Sequence, residues 1–148
     1  MRTGALNNTP ATPSATGASS YGFQCVLPRQ DFTQAVTQVT EALKTEGFGI
    51  LTEIDVQATL KKKLDVDFRR YRILGACNPG FAFQALSGEI DIGLLLPCNV
   101  TVYENPADGK TVVSVLDPET MVTLTGRKDI EPLARQVREK VVAALAAM

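Results

Sequence analysis

Two amphipathic helical stripes bracket a series of short β-prone runs, and that arrangement limits the fold more than any other feature of the chain. Behind Asp31 as an N-cap, apolar side chains recur at Phe32, Ala35, Val36, Val39, Ala42 and Leu43, and Gly47 supplies a stop. Near the other end, residues 129–147 carry Ile130, Leu133, Ala134, Val137, Val141 and Leu145 on one stripe. Each stripe needs an apolar surface to cover, and the segments between and before them supply it as strands.

Tyr21 to Leu27 reads as the first strand and ends at Pro28. Ile50 to Val56 is the second, and a short polar helix from Gln57 to Leu64 follows it. Phe68 to Ala76 reads as a third strand, one face of which carries exposed guanidinium groups. Asn78-Pro79 opens a helix, with Asn as cap and Pro at the first position, carrying Phe81, Phe83, Ala85 and Leu86. Ile92 to Leu96 runs into Pro97. Val100, Val102 and Tyr103 mark a fourth strand, Asn105 to Gly109 a hairpin connection, and Thr111 to Leu116 the fifth strand. Strand, helix, four strands with short insertions and a closing helix predict an α+β two-layer fold, a largely antiparallel sheet packed by helices.

Residues 21–148 are expected to form one domain, large enough for a single core. Residues 1–20 differ: Thr, Ala, Ser, Gly, Pro and Asn supply 17 of the 20, with Arg2 the only charge. Such a segment has little to bury against the entropy of ordering, so it reads as a flexible polar N-terminal tail. It lacks the apolar centre of a secretory signal.

Composition narrows the chemistry. The 148 residues include no histidine, which excludes Ser-His-Asp and Cys-His catalysis and histidine-ligated metal. With 15 basic and 16 acidic side chains there is no global field for nucleic acid or an anionic membrane. No apolar run is long enough to span a bilayer. Three cysteines are too few and odd in number for a disulfide-stapled secreted fold, so a cytoplasmic setting is expected.

Cys77 and Cys98 occupy related settings, Gly75-Ala76-Cys77-Asn78-Pro79 and Leu96-Pro97-Cys98-Asn99. Cys77 falls where a strand meets a helix N-terminus, a place that favours thiolate. Pro97 biases Leu96 towards extended backbone. If their strands are neighbours, the two thiols meet at one end of the sheet. The competing reading is that both are small buried hydrophobes, as expected of Cys25. Two thiols without histidine do not complete a closed metal site in one chain. Glu53 and Asp55 share one strand face and could bind a cation, exchange protons or pair with Lys61. A solvated surface ion pair is the plainer reading. Lys61, Lys62 and Lys63 with Arg69, Arg70 and Arg72 make a local basic cluster that could dock a phosphate or an acidic partner, offset by Asp65 and Asp67.

Glu53-Ile54-Asp55, Leu60-Lys61, Ile73-Leu74-Gly75-Ala76-Cys77-Asn78-Pro79, and Leu95-Leu96-Pro97-Cys98-Asn99-Val100 with Tyr103-Glu104 together resemble the bacterial and archaeal family called domain of unknown function 302. The likeness spans nearly all of residues 21–148. It implies a TATA-binding-protein-like β-α-β(4)-α arrangement, often as a homodimer, and carries no established activity or cofactor. The positions matching its motifs are Glu53, Asp55, Lys61, Cys77, Asn78, Pro79, Pro97, Cys98 and Asn99.

Three functions remain open. One is a thiol-dependent redox, sulfur- or metal-handling module built on Cys77 and Cys98, with Asn78, Asn99, Glu53, Asp55 and Lys61 nearby. Another is a non-catalytic small-molecule pocket lined by Cys77, Cys98, Phe81 and Phe83. The third is a dimeric interaction domain. Without imidazole no ready general base is evident, so an enzyme is the less favoured expectation.

Overall fold

The computed structural model describes residues 17–18, 21–27 and 31–148. Its elements run β1 (Gly17–Ala18), β2 (Gly22–Leu27), α1 (Phe32–Thr45), β3 (Gly49–Asp55), α2 (Val56–Leu64), β4 (Tyr71–Cys77), α3 (Pro79–Gly88), a 3-10 stretch (Ile90–Leu95), β5 (Cys98–Glu104), β6 (Thr111–Leu116), α4 (Glu119–Thr125), a 3-10 turn (Lys128–Ile130) and α5 (Glu131–Ala146). The expected α+β order is present. The strands form one antiparallel sheet in the order β1-β2-β6-β5-β4-β3. The polar segment 1–20 lies outside the described residues except for Gly17 and Ala18, which pair with Gln24 and Phe23 at the sheet edge.

Period-two alternation decides which side chains the helices cover. Phe23, Cys25 and Leu27 of β2, Leu74 and Ala76 of β4, Val100 and Val102 of β5, and Val113 and Val115 of β6 are all buried on one face. Phe32, Ala35, Val39 and Leu43 of α1 pack on it beside Val137, Val141, Ala144 and Leu145 of α5. The two stripes legible in the sequence are thus the inner faces of α1 and α5. Gly47 ends α1 with φ of 88°, a left-handed conformation that glycine adopts without steric cost.

Two local features differ from expectation. The third long strand begins at Tyr71, not Phe68, because residues 65–70 form a connection held by the Gln57 side-chain amide donating to the Phe68 carbonyl at 2.9 Å. Arg69 and Arg70 therefore precede the strand, and only Arg72 lies within it. Asp31 occupies the N-cap of α1, but its carboxylate accepts no capping hydrogen bond.

β3, β4 and β5 are locked together at one point. The β3–β4 register shifts between Ile50 and Thr52, Gly75 pairs with Thr52 on one side and with Asn99 on the other, and Leu96 is extended ahead of Pro97 as expected. A Cβ on Gly75 would overlap Thr52 Oγ1 and lie 2.7 Å from Pro97 Cγ. Glycine here is a requirement of close approach. Gly75→Ala should destabilise the protein by about 1–3 kcal/mol, read as a lower urea midpoint. Gly49→Ala, where a Cβ meets nothing within 4 Å, should shift the midpoint far less; equal shifts would mean that the Thr52–Gly75–Pro97 contact is slack.

Candidate functional site

The end of the sheet where β4 stops and β5 starts is closed by a second apolar cluster. Ile92, Cys98, Met121 and Ile130 are buried there, with Ala85, Leu95, Leu96 and Val122 packed against them. Local sequence builds each wall. Asn78 caps α3, its side-chain oxygen accepting from Phe81 N at 3.4 Å, and Pro79 takes the first helical position. The Asn78 amide also lies over Gly47, where a Cβ would come 2.9 Å from Nδ2. The turn after α1 and the start of α3 are therefore fitted to one another.

Between this cluster and the main core is an apolar cavity of about 60 Å³, partly open to solvent. Cys77, Asn78 and Phe81 border it from β4 and α3, Cys98 from β5, Met121 from α4 and Val137 from α5. Sequence reasoning found Cys77, Cys98 and Phe81. It missed Phe48, Ile92 and Met121, and it read Ile130 and Val137 only as part of the closing helical stripe; all reach the same cavity from distant elements. Phe83, expected in the lining, is 74% exposed. Helical spacing brings Phe81, Ala82 and Ala85 to the cavity and leaves Phe83 outside it.

The two cysteines do come together at one end of neighbouring strands. In the register, Cys98 faces Ala76 and Cys77 follows one position later. That stagger does not make them a directly facing cross-strand pair, and all three cysteines are free thiols. Cys77 is half-buried beside the N-cap of α3, whereas Cys98 is buried. Burial, with a smaller contribution from neighbouring Cys77, pushes the Cys98 thiol up to about 11. Cys25 is buried in the main core, as expected, and burial raises its thiol pKa too.

The polar candidates lie elsewhere. Glu53 pairs with Leu74 and Asp55 with Arg72 in the β3–β4 register, so they stand about 10 and 17 Å along the sheet from Cys77 at roughly 3.3 Å per residue. Their cationic partner is Arg72, which ion-pairs with both. Lys61, expected to pair with them, instead reaches Asp65 at 3.1 Å and Asp67 at 3.3 Å, because α2 turns it towards its own C-terminal end. Asn99 is exposed. Among the described residues, no group of three or more Cys, Asp or Glu side chains is placed to hold a metal ion.

The elevated Cys98 pKa has a stability consequence. The unfolded thiol ionises near its ordinary value of about 9, while the folded one holds its proton to about 11. Stability from Cys98 is therefore intact below pH 9 and lost as pH rises from 9 to 11. The unfolding free energy of the native protein should fall towards that of Cys98→Ala across this window. A gap between the two proteins that stays constant from pH 8 to 11 would refute it.

The comparisons with known proteins agree with this architecture. No curated protein matches the chain. The structure is similar to the crystal structure of an uncharacterized conserved protein DUF302 from Bacillus stearothermophilus, with a TM-score of 0.78 and 26% sequence identity, covering 85% of this chain and 96% of that one. The family model described as Domain of unknown function DUF302 matches residues 23–148, from β2 through the chain's last residue, and takes in both cysteine motifs and the whole cavity wall. The chain belongs to the DUF302 family.

Proposed function

We propose that the protein is a non-catalytic binding module for a small apolar molecule, held in the cavity between the two apolar clusters. The observation that carries this reading is the convergence of β4, β5, α3, α4 and α5 on an apolar space bordered by both motif cysteines. A cavity walled by apolar side chains has little for water to bond to and gains by filling with an apolar group. Cys98, buried and with its pKa raised, serves as a soft, polarizable contact there, and thiolate attack from it at neutral pH is disfavoured. Three free thiols fit a reducing, cytoplasmic setting.

Thiol chemistry is the second reading, and a single observation favours it: Cys77 is a free, only half-buried thiol directly before the Asn78 N-cap of α3. A homodimer would use the sheet face away from α1 and α5, where Ile54 is 48% exposed and Tyr71 stacks on Tyr103 with ring centroids 5.3 Å apart.

Equilibration with xenon, an apolar probe small enough for this cavity, should shift the methyl resonances of Ile92, Met121 and Val137 saturably, and Ala85→Phe, which fills the wall, should abolish the response. Unmoved methyls in the native protein would defeat the binding reading. In parallel, iodoacetamide at pH 7 should label Cys77 well ahead of Cys98. Labelling of Cys77 faster than a model thiol, with no xenon response, would favour the thiol reading instead.

A further inference from the structure

A second cleft lies at the other end of the sheet, remote from the cysteines. It has a volume of about 180 Å³ and is walled by Phe32 and Thr33 at the start of α1, Asp55 and Gln57 at the β3–α2 junction, and Arg70, Tyr71 and Arg72. The guanidinium carbons of Arg70 and Arg72 stand 5.5 and 6.0 Å from the centroid of the Phe32 ring. That ring is itself buried, so it gives both cations a fixed platform.

The charges in the cleft are not evenly committed. Arg72 ion-pairs with Glu53 and, at 3.5 Å, with Asp55. The other Asp55 oxygen accepts from Ala58 N at 2.9 Å, and Gln57 donates to the Phe68 carbonyl. Arg70 has no acidic partner among the described residues, and residues 1–16, 19–20 and 28–30 contain no Asp or Glu. With Arg72 committed to Glu53 and Asp55, Arg70 is the guanidinium of this polar cleft that carries no ion pair among the described residues. Thr33 lies on the same wall.

We propose that this cleft binds a phosphate-type oxyanion. The planar guanidinium of Arg70 matches two oxygens of a tetrahedral anion, and the Thr33 hydroxyl can donate to a third. Arg72, held by two carboxylates, shapes the wall and fixes the Asp55 carboxylate, whose other oxygen is taken by Ala58 N. The proposal does not depend on what fills the apolar cavity.

Inorganic phosphate and methyl phosphate are the probes, added at constant ionic strength to the full chain and followed by amide and arginine side-chain resonances. Phosphate should shift the Thr33 and Gln34 amides and the Arg70 Nε–H saturably, with chloride at the same ionic strength leaving them unmoved. Tighter binding of methyl phosphate than of inorganic phosphate would support a phosphomonoester ligand, and the reverse would support the free ion. Arg70→Gln should weaken phosphate binding about tenfold or more, Arg70→Lys should retain part of it, and Lys62→Gln, on an exposed helix turn, should leave it unchanged. Arg70 is exposed, so these variants should melt as the native protein does. Shifts that chloride reproduces, or an Arg70→Gln variant that binds phosphate equally well, would overturn the proposal.

Discussion

The contact of Pro97 and Thr52 over Gly75 is the constraint on which the cysteine end of the molecule depends. It holds three strands together at one point, and a side chain on residue 75 would push them apart. Because Gly75 is two residues before Cys77, and Pro97 directly precedes Cys98, this contact also sets where both sulfurs sit. The main core alone would not do so, since its Leu74–Val100 pairing lies deeper in the sheet.

From that point two apolar clusters diverge. The larger fills the space between the sheet and the inner faces of α1 and α5, and its side chains are the alternate residues of each strand. The smaller is assembled from α3, α4 and two 3-10 segments, with Cys98 contributed by the sheet. The cavity exists because these clusters meet without filling the space between them. Burial then governs the chemistry: the same desolvation that stabilises a neutral Cys98 thiol takes it away from nucleophilic work at neutral pH.

The opposite end holds an ion-pair group of its own. Arg72 draws Glu53 and Asp55 into one ion-pair group, while Lys61 is taken by Asp65 and Asp67. Such pairs are partly exposed and contribute modestly to stability, so their main effect is positional. Strand register separates the carboxylates from the thiols, and Arg70 lies over the Phe32 ring without an ion pair among the described residues. The two ends of one sheet therefore offer different surroundings, one apolar and one polar.

Periodicity made the fold legible in the sequence. The stripes at Phe32–Leu43 and Ile130–Leu145, the succession of strands and helices along the chain, the Asn78-Pro79 helix start and the Gly47 stop all depend on neighbours in the chain, so local pattern suffices to read them. The pairing of Cys77 and Cys98 at one sheet end was half legible, since their motifs are alike but their adjacency required β4 to pair with β5. The partner of Glu53 and Asp55 was not legible, because cross-strand register rather than spacing chose Arg72 over Lys61. Likewise Phe83 and Phe81 look alike in sequence, and only the seating of α3 left one exposed and the other against the cavity. By itself the sequence determined the elements and the residue types available for chemistry, with imidazole excluded. Tertiary structure decided which of those residues meet and which sulfur is buried, because burial and register come from contacts between segments far apart in the chain.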